Sequence, residues 1–129
     1  MTPTVVQFAS VLLIGAVATA PGLPVLAVQS LLAAMSLGGV VYGVRILTGF
    51  RRTPETVAHW SDVWFYAAAP LAAFAGLGLA DALVWSAPKL SPYLVAATAL
   101  AMLLIGIRNA WDLITWIAPR GGPPQQKSS

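Results

Sequence analysis

Four long apolar stretches organise this chain, and prolines punctuate them. Thr2-Pro3, Leu23-Pro24, Thr53-Pro54 and Ser91-Pro92 each precede one stretch. Proline suits the first helical turn, where its missing N–H would have no partner in any case. Thr2, Thr53 and Ser91 are good N-caps. Matching stop signals follow at Pro21-Gly22, Gly49, Pro88 and Pro119. The pattern predicts helices over about 3–20, 24–48, 54–87 and 92–118, forming one domain over 1–118. The remainder, 119–129, carries Gly-Gly-Pro-Pro-Gln-Gln, has nothing to bury and reads as a disordered tail.

The hydrocarbon core of a bilayer is about 30 Å thick and needs roughly 20 helical residues to cross. The second and fourth stretches exceed that length. The first is short and has to stand nearly upright or thin the bilayer. The third is too long to lie wholly in the membrane, and its polar opening from Glu55 to Asp62 suits the interface, with the span beginning near Val63. Pro70 lies inside this third helix and is expected to kink it.

Composition turns this pattern into a fold class. Lysine, arginine, aspartate and glutamate together number 11 of 129 residues, against about a quarter in ordinary soluble domains. So few charges cannot cover a soluble surface, and the bilayer is the natural solvent. We expect an all-α polytopic membrane protein, its four transmembrane helices in an up-down bundle. Arg45, Arg51 and Arg52 flank the central connection, and Arg120 and Lys127 lie in the tail, whereas the opposite side offers only Lys89. The positive-inside rule then places both termini in the cytoplasm. Trp60, Trp64, Trp111 and Trp116 mark the inner boundary, and Trp85 and Tyr93 the outer one. No basic n-region precedes Val11-Leu12-Leu13-Ile14, so the first stretch reads as a mature helix rather than a signal peptide.

The same composition narrows the chemistry. The chain has no cysteine and one histidine, His59, which leaves no basis for a thiolate site or a multi-histidine metal site. Neither metal nor cofactor is expected, nor a catalytic constellation. A net charge of +3 fits membrane orientation better than nucleic-acid binding, which needs a basic face.

Three groups of residues remain as candidates. Arg108 and Asp112 are spaced i, i+4 on one face of the fourth helix and can pair, with Asn109 at the edge of that stripe. Arg45 and Asp62 are expected at the same depth, which would make an inner polar cluster that fixes the bundle or holds an anionic lipid head group. Asp81 is isolated in the outer half of the third helix and is a possible proton or ion site. Gly39 and Gly43 form a G-x-x-x-G, and Ala68, Ala72, Gly76 and Ala80 recur every fourth residue; such faces let helices approach closely in lipid. They suit packing of the second helix on the third, or self-association.

A faint repeat relates Tyr42-Gly43-Val44-Arg45-Ile46 to Ile105-Gly106-Ile107-Arg108. In addition, Ile105-Gly106-Ile107-Arg108-Asn109-Ala110-Trp111-Asp112-Leu113-Ile114-Thr115 resembles the last helix of small, uncharacterised four-span bacterial membrane proteins with an R-N-A-W-D run. The resemblance covers about a dozen residues; it implies the four-span topology and no activity. The chain does not look like a small multidrug-resistance carrier, whose acidic residue lies in a first helix that here has none. The reading favoured by these features is a non-catalytic protein of the bacterial inner membrane, in contact with lipid and acting as a homo-oligomer or accessory subunit of a membrane complex. The alternative is a small proton- or ion-coupled carrier or channel built on Asp81 and the Arg108–Asp112 cluster.

Overall fold

The computed structural model describes residues 3–52 and 63–117. Among them the chain is all helical, and three helices are long and apolar enough to cross a membrane. Helix α1 is Pro3–Thr19, α2 is Val25–Arg52, α3 is Ala69–Ala82 preceded by a π-helical turn at Trp64–Ala68, and α4 is Ser91–Ile117. At 1.5 Å per residue, α1 is roughly 25 Å long, shorter than the three others with their extensions.

Neighbouring helices run antiparallel. Ser36, Gly39 and Gly43 of α2 face Gly78, Phe74 and Leu71 of α3, in reverse order. Gly76 of α3 faces Thr98 of α4, and Gly106 of α4 faces Gln7 and Phe8 of α1. The helices therefore form an up-down array in which α3 packs on both α2 and α4, and α4 packs on α1. The start of α1, the end of α2, the π turn and the end of α4 share one end of the molecule. Helices α1 and α2 are joined by a tight turn through Gly22, whose positive φ of 76° suits a residue without a Cβ. They nonetheless touch only lightly, and a seam stays open between them. The core is the apolar layer of Ile14, Leu32, Ala73, Phe74, Leu77 and Met102.

Four expectations about the helices change. Gly49 does not stop α2, which runs on to Arg52; among the described residues only Gly22 has positive φ, so Gly49 keeps helical geometry. The third helix ends at Ala82 rather than near 87, because the Val84 N–H turns back to the Asp81 carbonyl at 3.2 Å. Pro70 sits in the first turn of α3 just after the π turn. The wide π turn, with the Ala69 N–H bonded to the Trp64 carbonyl, ends just before the proline, so its missing donor falls at the start of α3 and not in a helix interior. Ser91 does not cap α4 with its side chain. Its hydroxyl donates instead to the Ala80 carbonyl at 2.8 Å, an acceptor freed when the Val84 amide turned to Asp81. The polar opening of the third stretch, with Glu55, His59, Trp60 and Asp62, and the tail 119–129 lie outside the described residues.

Candidate functional site

Among the described residues, the buried side chains of Ser36, Ser91 and Asn109 reach across helices and end on carbonyls of α3 or its π turn. The Ser36 hydroxyl of α2 donates to the Phe74 carbonyl at 2.8 Å. Ser91, at the start of α4, donates to Ala80, and the Asn109 side-chain amide of α4 donates to the Phe65 carbonyl at 3.1 Å. The last bond follows from the local backbone. In an α-helix the Phe65 carbonyl would accept from the Ala69 N–H, but that donor is taken by Trp64. In a continued π-helix it would accept from residue 70, which is proline and has no N–H. Asn109 supplies the donor the backbone cannot. It is 0% exposed; its backbone carbonyl accepts a long hydrogen bond of 3.4 Å from the Tyr66 hydroxyl, and its side-chain Oδ1 is buried without a partner.

Arg108, the next residue, faces outward. Its guanidinium lies 3.4 Å from the centroid of the Phe65 ring, in range for a cation–π contact. Its Nη1 is 3.9 Å from Asp112 Oδ2, and the two side chains are 42% and 41% exposed. A pair at that separation and exposure contributes at most about 1 kcal/mol. Phe65 thus links both neighbours on α4: its ring sits under Arg108 and its carbonyl holds Asn109.

The sequence suggested one polar cluster of Arg45, Asp62, Arg108, Asn109 and Asp112, and the described residues bring part of it together. Arg108, Asn109 and Asp112 lie together. Arg45 is exposed on α2, diagonally across the bundle with α3 between, and the ion pair among the described residues is Arg108–Asp112. Asp62 lies outside the described residues. A buried polar residue that the sequence reading did not single out is Gln7 of α1, which is 1% exposed, with both side-chain amide atoms lacking a partner. It lines a cavity of about 10 Å³ between α1, α2 and α3, with Tyr42, Tyr66 and Pro70 in the same wall. A signal for it existed: Gln7 and Ile14 are one heptad apart on the buried stripe of α1. Asn109 is likewise in register with Ser91, Thr98, Met102 and Gly106, all buried on α4.

At the far end Asp81 occupies the last turn of α3, and its Oδ1 is buried without a partner. Lys89 is exposed in the following connection. Between the two ends the core is apolar. The hydroxyls there turn to backbone: Ser36 to Phe74, and Thr98 to Leu94 in its own helix.

The small residues also sort differently from their spacing. Gly39 and Gly43 do face α3: a Cβ at Gly39 would sit 2.1 Å from Phe74 Cδ1, and one at Gly43 would sit 3.1 Å from Leu71 Cδ1. The four-residue series on α3 does not make the matching surface. Gly76 turns to Thr98 of α4, Ala80 is fully buried, Ala72 is exposed and Ala68 is half-buried in the π turn. The glycine of α3 that admits α2 is Gly78, where a Cβ would meet Ser36 Oγ at 2.5 Å.

Two larger apolar recesses open along the sides. One of about 370 Å³ follows the α1–α2 seam past Ala9, Ser10, Ala34 and Gly38. The other, about 550 Å³, lies at the opposite end among α1, α2 and α4, beside Pro88, Ser91 and Pro92. No group of acidic, histidine or cysteine side chains suited to a metal occurs among the described residues. No family model, curated protein or solved structure matches the chain.

Proposed function

We propose that this chain is a non-catalytic multi-span protein of the bacterial cytoplasmic membrane, N-in and C-in, that works by assembling with itself or with another membrane protein. The observation that carries this reading is the separation of its polar groups. Gln7, Tyr66 and Asn109 sit near one end of the bundle and Asp81 near the other. The layer of Ile14, Leu32, Phe74, Leu77 and Met102 lies between them. A carrier or channel needs polar side chains or water along its path. Here the hydroxyls at mid-depth are consumed by backbone carbonyls, so among the described residues no chain of polar side chains joins Asp81 to the Arg108–Asp112 pair.

Assembly is supported by the open α1–α2 seam and its small-residue floor, the kind of surface that admits a helix closely in lipid. The orientation rests on the placement of Arg45, Arg51, Arg52, Arg120 and Lys127 relative to Lys89. A membrane protein with a short α1 also gains from neighbours that share its hydrophobic mismatch.

The experiment pairs two measurements on the full chain. Light scattering in mild detergent is expected to give a mass above that of one protomer, or a co-purifying partner. Proton and ion flux in liposomes is expected to stay at the level of protein-free vesicles. A monomer with flux that disappears in both Asp81→Asn and Arg108→Gln would overturn the reading in favour of the carrier.

A further inference from the structure

The larger recess, about 550 Å³, follows from how the helices lean. Gly22 turns the chain tightly between α1 and α2, yet α1 packs on α4 and α2 on α3. A wedge among α1, α2 and α4 is left at the Lys89 end. Gly15 and Ala96 keep it wide, and nothing lies within 4 Å of the Cβ position of Gly15. Its deep wall is Ile14, Val17 and Leu32, all buried. Ser91 is the one polar side chain in the lining, and its hydroxyl is committed to the Ala80 carbonyl at 2.8 Å. The space therefore offers an occupant no hydrogen bond. Apolar cavities stay dry and take apolar molecules, and this one falls within the range of about 300–1,000 Å³ found for ligand sites.

The rim adds a charge. Pro88 and Ser91 both line the recess, and Lys89 follows Pro88 directly, exposed and with no hydrogen bond or ion pair. Among the described residues it is the basic side chain at this end, since Arg45 and Arg108 lie toward the other. Trp85 and Tyr93 flank the same connection, both largely exposed, and such aromatic side chains sit at head-group level. Asp81, at the same end, belongs to α3 and is not in the lining. An apolar recess beside a free cation at head-group depth has the chemistry of a phospholipid in complement. We propose that the recess binds one phospholipid from the leaflet on the Lys89 side, with an acyl chain against Ile14 and Leu32 and the phosphate at the Lys89 ammonium. A neighbouring subunit's helix fits less well: it is about 10–12 Å wide, so a space of this volume houses only about one turn. A free anion would leave the apolar wall uncovered.

The site rests on the chain's place in a membrane and not on the assembly reading. Photolabelling of the full-length protein in phosphatidylcholine bilayers tests it. Two probes carry the same diazirine-bearing acyl chain, one on phosphatidylglycerol and one on diacylglycerol, which has no phosphate. Labelled positions are mapped by mass spectrometry of peptides, relative to each probe's labelling of the exposed Leu104 face of α4. The phosphatidylglycerol probe should label the α1 and α4 walls of the recess in excess, and more than the diacylglycerol probe does. Gly15→Leu fills the recess and should remove that excess. Gly38→Leu fills the α1–α2 groove instead and should leave it. Lys89→Gln should bring the two probes level. Even labelling of all lipid-facing positions, or wild-type labelling indifferent to the phosphate, would overturn the site. So would an unlabelled recess; if the protein's mass then exceeds one protomer, a neighbouring subunit fills the space and the assembly reading stands without the lipid site. If Gly15→Leu does not fold, Ala96→Leu fills the recess from α4.

Discussion

Asn109 and Pro70 act on the same carbonyl from opposite directions: the proline removes its backbone donor and the asparagine replaces it. Asn109→Leu should therefore cost about 1–3 kcal/mol, the penalty for a buried carbonyl left unsatisfied. The cost should shrink in a Pro70→Ala background, because residue 70 then carries an N–H that can bond Phe65 or Tyr66. Thermal or denaturant unfolding of the four proteins in detergent micelles closes this double-mutant cycle. Equal costs in both backgrounds would mean that the asparagine is not compensating for the proline. The charged neighbours should matter less. Asp112→Asn leaves Arg108 with the Phe65 ring and an outward route for its long stem, and it is expected to change stability by less than about 1 kcal/mol. A loss well above that in the same unfolding assay would show that the pair is more enclosed than its exposure indicates.

At the level of helices, the tightest constraint is the contact between Gly39 and Phe74. Gly39→Ala forces α2 and α3 apart or rotates the Phe74 ring, at a cost of about 1–3 kcal/mol for overpacking. Its neighbour is the natural control. Gly38 has nothing within 4 Å of its Cβ position, so Gly38→Ala should be neutral or stabilise by up to about 1 kcal/mol through helix propensity. Unfolding midpoints of the two variants should move in opposite directions or differ clearly in size; matched shifts would place the glycines alike.

That contrast also marks how far the sequence could be read. Pro3, Pro21-Gly22, Pro24 and Ser91-Pro92 lie within a residue or two of described helix ends, because each acts on backbone geometry within one turn, whereas Gly49 and Pro88 did not mark where α2 and α3 stop. G-x-x-x-G pointed to Gly39 and Gly43, but spacing alone could not say that Gly78, outside the series of small residues on α3, would admit Ser36. Nor could it locate the end of α3 at Ala82, since that depends on the Val84 amide turning to Asp81 and on Ser91 arriving from eleven residues downstream to take the Ala80 carbonyl. Asn109 was read as the edge of a charged stripe because charge draws attention first. Its buried register with Thr98, Met102 and Gly106 was present in the sequence and is the stronger physical signal. Gln7 had the same register and no charge to advertise it.

At the scale of the whole molecule, the open seam is what an assembled state has to explain. Consecutive helices joined by a short turn usually pack together, yet α1 makes its main contact with α4 and α2 makes its own with α3. If two copies meet through their seams about a two-fold axis, a residue on the groove floor approaches its own counterpart, as isologous contacts require. The chain has no cysteine, so a single introduced thiol reports this without background. Gly38→Cys places the thiol on the groove floor with space around it, and Leu104→Cys places one on the exposed face of α4. Mild oxidation in native membranes should link Gly38→Cys copies into dimers while Leu104→Cys stays mainly monomeric. Disulfide geometry demands Cβ atoms about 4 Å apart, so the difference reads proximity and not mere collision. Equal yields would reduce the result to random encounter. Efficient linking through Leu104→Cys alone would move the interface to α4, away from the seam, and leave the groove to lipid.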